Sequence, residues 1–360
     1  MNLLTTYPSV NTLDDTCPPS ELDDPVPPSR PSEDPSDLLL DNLETSVSND
    51  TERFTDRKRD AVAVSKRFKR IGMENRGRKI GQCSDLTITR AFSCGHSSRV
   101  RDTGKAMSYR CKDKFCPICN HARSIKLSHR LGNSLEAYTT AHNLHTYHLV
   151  LTFKNSNELP DYRRIRKLVK RLFNSDSKGR KAFWDRYGYH GALLNFEITV
   201  DRKGKYHPHF HVLLITERPI PLIEQGEHAG EFQNSVNQEI SDLWLKITGD
   251  SYIVKGKGFE FSGMFEMVKY MTKGTMKIPD EQLYDLAKWS EGKRFLSLIG
   301  KLYSNEELKT LIDQGDESHD PETCPQCGCS EYVDIPAWYD PMTARYVEFS
   351  YDQERSLSPP

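Results

Sequence analysis

Two neighbouring stretches, LLNFEITV (193–200) and HPHFHVLLI (207–215), each alternate apolar and polar residues and flank a turn centred near Gly204. No other feature of the chain constrains its fold as much. Period-two alternation sends successive side chains to opposite faces of a strand, and two such runs joined by a short polar turn make an antiparallel hairpin. Leu194, Phe196, Ile198 and Val200 present one side; Asn195, Glu197 and Thr199 present the other. In the second run Phe210, Val212 and Leu214 lie opposite His207, His209 and His211. If partner numbers sum to 406 or 408, Glu197 sits across from His209 or His211 on their face; a sum of 407 would put it on the wrong one. We expect the even register. Two imidazoles about 7 Å apart along a strand, with a carboxylate beside them, can grip one divalent cation and leave positions open for water and substrate. A polar strand face merely wetted by solvent is the bland alternative.

Around this hairpin, TYHLVLTF (146–153) reads as a strand, and 121–141, 160–174, 230–247 and 262–273 read as helices. The helix at 160–174 sets Ile165, Leu168, Val169 and Leu172 on one face and arginines and lysines on the other. Residues 51–80 read as a basic helix, and 83–119 as a loop-rich stretch. Strands and helices alternate, yet two of the strands form a hairpin. The expectation is an α+β fold, an antiparallel sheet with flanking helices, plus a small zinc-binding element.

At about 100° per residue, Phe261, Met264, Phe265, Val268 and Met271 share one arc of the helix at 262–273, with Gly274 a suitable C-terminal cap. Glu266, Tyr270 and Lys273 share the opposite side. A phenol with a pKa near ~10 is a poor nucleophile at neutral pH. A nearby cation lowers that pKa, and a metal that polarises a phosphate eases the attack. Metal, tyrosine and lysine together describe a phosphodiester transesterification. Tyr270 attacks phosphorus, keeps the 5′-phosphate and releases a 3′-hydroxyl; Glu266 later activates water or a new strand end.

Cys111, Cys116 and Cys119 form C-x4-C-x2-C, with Cys94 and His96 upstream in CGH. Three thiolates and one further ligand suit a tetrahedral structural Zn2+. Cys94, Cys111, Cys116 and Cys119 are the favoured set, with His96 as a substitute and Cys83 a weaker candidate. CPQCGC (324–329) is a second knuckle, so Cys116, Cys119, Cys324 and Cys327 form a rival set.

Charge is uneven. Residues 1–50 hold one arginine, no lysine and eleven acidic residues, a net −10 within a chain of net −1, so residues 51–360 carry about +9. A basic body suits a polyanionic partner, bound through 57–79 and 160–174 with strong salt dependence. The Pro-, Ser- and Asp-rich tail cannot offset its ordering entropy and reads as disordered. It lacks the basic start and apolar core of a signal peptide, and no stretch approaches the ~18 apolar residues that span a bilayer. Cytoplasmic location, reduced thiols and no membrane partner are expected.

HPHFHVLL followed by EMVKYMTK resembles the HUH endonucleases, and among them the single-tyrosine replication initiators (Rep proteins) of rolling-circle plasmids. His209-Phe210-His211 matches the family's histidine pair around an apolar residue. Tyr270 and Lys273 match its tyrosine with lysine three residues on, and Glu266 matches the glutamate thought to act at termination. LVLTF (149–153) and GKRFLSLIGKL (292–302) are similar to further stretches, and a CPxC precedes the core in such initiators too. Where the family usually has asparagine before the proline, this chain has His207, a possible additional ligand. The resemblance covers roughly residues 57–305. It implies a ferredoxin-like palm, Mg2+ or Mn2+, and nicking of origin DNA. With the composition it suggests a disordered acidic tail (1–50), a basic helix and zinc-binding region (51–140), an HUH nuclease domain (141–315), and a C-terminal Cys knuckle and tail (316–360). With no G-x-x-x-x-G-K-[ST] and hence no expected ATPase, unwinding would fall to a host helicase, with single-strand-binding protein and polymerase following. A single-strand transposase or relaxase of the same superfamily is one alternative; a non-enzymatic zinc-stabilised nucleic-acid binder is another.

Overall fold

The computed structural model describes residues 35–95, 97–99, 109–174, 177–221, 236–251, 254–268, 278–314, 323–324 and 327–348. The chain divides into two compact units, Met1–Thr45 and Ser46–Pro360. In the first, the described residues are the opening turns of α1 (Pro35–Arg70), which begins inside the stretch expected to be unstructured. Proline suits a first helical position, because its missing N–H would have had no partner there.

The expected basic helix over 51–80 is two helices. α1 stops at Arg70 and α2 (Glu74–Gly81) follows. Gly72, at φ +77°, takes the left-handed position that ends α1, while its N–H donates to Lys69 O and that of Met73 to Phe68 O. That pair of bonds satisfies carbonyls the helix end would otherwise orphan. Along α1 the residues Phe54, Lys58, Ala61, Ser65 and Phe68 recur at helical spacing and are all buried.

The remaining elements run β1 (Leu86–Phe92), β2 (Ser97–Arg99), α3 (Pro117–Ala141), β3 (His145–Thr152), α4 (Tyr162–Phe173), α5 (Lys178–Tyr187), β4 (Tyr189–Val200), β5 (Tyr206–Thr216), α6 (Val236–Thr248), β6 (Val254–Gly258), α7 (Met264–Met267), α8 (Asp280–Trp289), β7 (Leu296–Gly300), α9 (Glu306–Gln314), β8 (Tyr332–Asp340) and β9 (Arg345–Glu348). Two antiparallel sheets form, ordered β2-β1-β8-β9 and β6-β3-β5-β4-β7. The fold is therefore α+β, as expected. The smaller sheet corrects the loop-rich reading of 83–119, since β1 and β2 lie there. Its partner β8 is far away in sequence, so no local pattern announces the pairing.

In the larger sheet β3, β4, β5 and β6, with helices after β3 and β5, stand in the order β6-β3-β5-β4. That is the arrangement of a β-α-β-β-α-β unit, and β7 extends it beside β4. One face carries Leu149, Leu151, Leu194, Phe196, Phe210 and Val212, buried together with Ile165 and Val169 of α4 and Trp244 of α6. Each such burial contributes about 1.5–3 kcal/mol. A one-residue slip of β4 on β5 would forfeit it for several side chains at once, which fixes the register. The turn between them uses Gly204 at φ +75°, and Asp201 Oδ1 accepts from the N–H groups of Lys203 and Lys205.

The opposite face is split. Leu193, Leu213 and Ile215 pack under Leu131 and Leu135 of α3, Met264 and Met267 of α7, and Leu308 of α9. Farther along the same strands that face becomes polar. The helices cover its apolar end and leave its polar end beside a cleft.

Candidate active site

The polar end is built by the hairpin. Glu197 pairs with His209 and Asn195 with His211, the even register with partner numbers summing to 406. Glu197 Oε2 lies 2.9 Å from His209 Nε2 and 3.0 Å from His211 Nε2. One ligand atom from each of the three residues falls within 4.8 Å of the others. The side chains are only 13%, 11% and 20% exposed for Glu197, His209 and His211, so bulk water does not hold them in place. Burial pushes the Glu197 carboxyl up, but hydrogen bonds from His209 and His211 outweigh it and hold the group well below the usual carboxylate range. Two nitrogens and an ionised oxygen converging on one point fit a divalent cation. His207 is not in this cluster; its ring lies tilted beside that of His209, with centroids 5.3 Å apart, and its carbonyl lies 3.3 Å from His209 Nδ1.

Sequence reasoning missed His148 on β3. Val150 pairs with His211, and His148 is two residues along on the same face. Its Nε2 lies 3.0 Å from His211 Nδ1, and the two rings stack at 5.2 Å. Burial, then the charges of His211 and Lys257, pushes His148 down to about 4, so near neutral pH its imidazole is uncharged. We assign the hydrogen so that His211 Nδ1–H donates to His148 Nε2. Nε2–H of His211 donates to Glu197; giving up that proton would free the Nε2 lone pair for a cation while Nδ1–H stays on His148. An outer partner that fixes a ligand's tautomer is commonly worth 10–100-fold in metal affinity. His148→Ala should therefore weaken Mn2+ binding by about 10-fold or more, read by calorimetric titration; an unchanged affinity would remove His148 from the site. Lys255 and Lys257 of β6 pair with Val150 and His148 and add positive charge on this side. The alternation in VKGKG (254–258) was the signal available for them.

A cleft of about 940 Å³ opens beside the cluster, lined by His148, Glu197, His211, Lys257, Glu266 and Met267 among others. Glu266 thus shares a cavity with the hairpin residues, as its helical phase suggested. The helix expected over 262–273 opens as a 3-10 turn, Phe261–Gly263, and continues as α7, Met264–Met267. Met264, Met267 and Val268 are buried. The 3-10 start shifts the phase, so Met267 joins the apolar side while Phe265 sits half-buried against His121. Asn195, between Leu193 and Glu197 on the strand face, donates from Nδ2 to Met267 O at 2.9 Å. This bond ties the end of α7 to the strand that carries Glu197. Tyr270 and Lys273 lie outside the described residues.

The cysteines separate into two groups. Cys83, Cys111, Cys116 and Cys119 gather with their sulfurs within 4.8 Å of one another. Cys94 lies instead with Cys324 and Cys327, so both sets weighed from sequence are corrected, and His96 lies outside the described residues. The reason is β1. Cys83 lies three residues before its first residue and Cys94 two after its last, so a full strand separates them. Cys116 occupies the N-cap position of α3 and Cys119 lies in its first turn, where hydrogen bonds from Cys111 and Cys116 push the Cys119 thiol down. Lys112 N–H, next to Cys111, donates to Cys119 Sγ at 3.3 Å.

Lys58 supports this cluster from beneath. Its side chain is fully buried, and Nζ donates to Gly81 O (2.6 Å), Cys83 O (2.9 Å) and Asp85 Oδ1 (2.6 Å). Lys58→Met keeps the volume but strands two carbonyls and a carboxylate. Breaking a buried pair from one side costs about 3–5 kcal/mol, discounted here toward ~3 because Asp85 is half-exposed. Urea unfolding should show this as a lower midpoint at unchanged slope. A loss below about 1 kcal/mol would mean that the three bonds contribute no more than one ordinary hydrogen bond.

The basic helix α4 exposes Arg163, Arg164, Lys167, Lys170 and Arg171, and the Asp161 side chain caps it by accepting from Arg163 N–H and Arg164 N–H. It packs on the sheet face opposite the imidazoles. Its charges and the cleft therefore face different sides of the sheet.

Comparison with known proteins agrees with this picture. A family model described as Replication protein matches residues 105–347. Proteins named "Protein rep" are similar to the chain. One from Bacillus amyloliquefaciens is 27% identical over 314 residues, covering 79% of this chain and 88% of that protein. Another from Lentilactobacillus hilgardii is 26% identical over 211 residues, 55% of this chain and 65% of that one. A third, from Lactiplantibacillus plantarum, is 28% identical over 160 residues, 43% and 46% respectively. The chain thus spans less than two thirds of the last two relatives. No solved structure matches it. The chain belongs to the replication-protein family, the group its histidine and tyrosine motifs resembled.

Proposed function

We propose that this protein initiates rolling-circle replication of a plasmid by nicking one strand of its origin and remaining joined to the 5′ end. The observation that carries the reading is the convergence of Glu197, His209 and His211 at a cleft that also receives Glu266, four residues before Tyr270. The β-α-β-β-α-β strand order supports a ferredoxin-like palm of the HUH type.

In this reading Tyr270 Oη attacks the scissile phosphorus, a Tyr–O–P bond forms, and the P–O3′ bond breaks to leave a 3′-hydroxyl primer. Lys273, three residues on in the sequence, favours the phenolate. Mg2+ or Mn2+ held by Glu197, His209 and His211 supplies charge stabilisation at the phosphate oxygens when bound. His148 keeps His211 in the tautomer that leaves Nε2 free to ligate. Lys257 faces the cleft where a phosphate would enter. Glu266 activates water or the new strand end at termination. Zn2+ in the cluster of Cys83, Cys111, Cys116 and Cys119 fastens β1 to α3. Origin DNA is the partner, its duplex flank contacting α4 while the single strand enters the cleft. Host helicase, single-strand-binding protein and polymerase then extend the primer. Among the described residues no helix is long and apolar enough to cross a membrane.

The test is a covalent adduct. Incubated with a single-stranded oligonucleotide from its plasmid's origin and Mn2+, the protein should yield a species that survives a denaturing gel and carries only the fragment 3′ of the nick. Absence of that species from the wild-type protein would overturn the reading.

A further inference from the structure

The second cysteine group is not needed for the chemistry above, and packing does not account for it. Cysteine in a protein interior behaves as a small apolar side chain, yet Cys94 and Cys327 are exposed. They nevertheless lie within 4.8 Å of each other and of Cys324, sulfur to sulfur. Cys329, two residues on, lies outside that trio, with its Sγ 3.1 Å from Ser93 Oγ.

Two tight turns bring these thiols together at the same end of the smaller sheet. The first follows β1, where Gly95 N–H donates to Phe92 O at 3.0 Å. The second precedes β8, where Gly328 N–H donates to Cys324 O (2.8 Å) and Cys324 N–H to Cys329 O (2.7 Å). In each turn a glycine with positive φ directly follows a cysteine, Gly95 after Cys94 and Gly328 after Cys327. The last ladder pair, Phe92 with Tyr332, and the bond from Ser93 N–H to Glu331 O hold the turns side by side. Two cysteine-bearing knuckles at the end of an antiparallel sheet are a ready-made thiolate pocket for a soft, tetrahedral cation.

We infer that Cys94, Cys324 and Cys327 hold a second structural Zn2+ that fastens the C-terminal hairpin β8–β9 to the strand β1. Binding displaces the thiol protons to solvent. β1 then has a metal-binding cluster at each end, Cys83 joining it to α3 and Cys94 joining it to the C-terminal segment. The second site closes a loop running from residue 94 to residue 324, which contains the whole larger sheet.

Metal content and thiol reactivity test this without reference to nicking. Zinc bound to purified full-length protein is counted by mass spectrometry for the wild type and for Cys324→Ser combined with Cys327→Ser. The variant should carry one equivalent less, whatever the first cluster holds. In the wild type, N-ethylmaleimide should label Cys94 and Cys327 slowly, and rapidly once a strong zinc chelator is added. The labelling needs no substitution, so it decides the matter even if the variant folds poorly and loses all its metal. Equal zinc in a folded variant, or rapid labelling of the two exposed thiols before chelation, would overturn the site. The adduct test would stand or fall separately.

Discussion

Tyr270→Phe should leave origin binding intact and eliminate the covalent DNA adduct. The substitution removes one oxygen, the only atom of that side chain able to form a phosphodiester. The ring stays, so the change is confined to the hydroxyl. Position supports the choice of tyrosine. Asn195 holds the carbonyl of Met267, three residues before Tyr270, and Glu266 already lines the cleft. An adduct that persists in the variant would transfer the nucleophile to another residue. Binding that collapses along with the adduct would show that the phenol has a structural role instead.

His209→Ala with His211→Ala should reduce nicking by about 10³-fold or more, since a loss of several kcal/mol of charge stabilisation is expected when the metal is no longer held. The paired substitution is preferred because Glu197 bridges both imidazoles, so one histidine could retain a weakened ion. Duplex binding should persist, because the exposed cations of α4 lie on the other face of the sheet. Gel-shift titration beside a nicking time course separates the two effects. Nicking at the wild-type rate would dismiss the metal centre. Loss of duplex binding at the same protein stability would show that the two faces act as one surface.

Much of the site was legible locally. Alternation over 193–200 and 207–215 determined two strands, the turn between them and which residues share a face, because side-chain direction in a strand follows from position alone. An even register followed, since any odd one would have buried polar groups and exposed Phe196 and Phe210; that Glu197 pairs with His209 and not with His211 was decided by the structure. Helical phase likewise put Glu266 on the side away from Met264 and Val268. The break of the basic helix at Gly72 was also present in the sequence, as a glycine with no side chain to oppose a left-handed turn.

What the sequence by itself determined was short-range: the histidine hairpin, the side of Glu266 away from Met264 and Val268, and the presence of enough thiols for metal. Tertiary structure alone decided which groups meet. His148 joins the site because β3 pairs with β5 across the sheet. Cys83 displaces Cys94 because β1 carries the two to opposite ends of a strand. Cys94 finds Cys324 and Cys327 because β8 pairs with β1. The physical reason is that periodicity records the direction of a side chain relative to its own backbone. Its neighbours across a sheet depend on burial summed over many distant residues, which no local stretch contains.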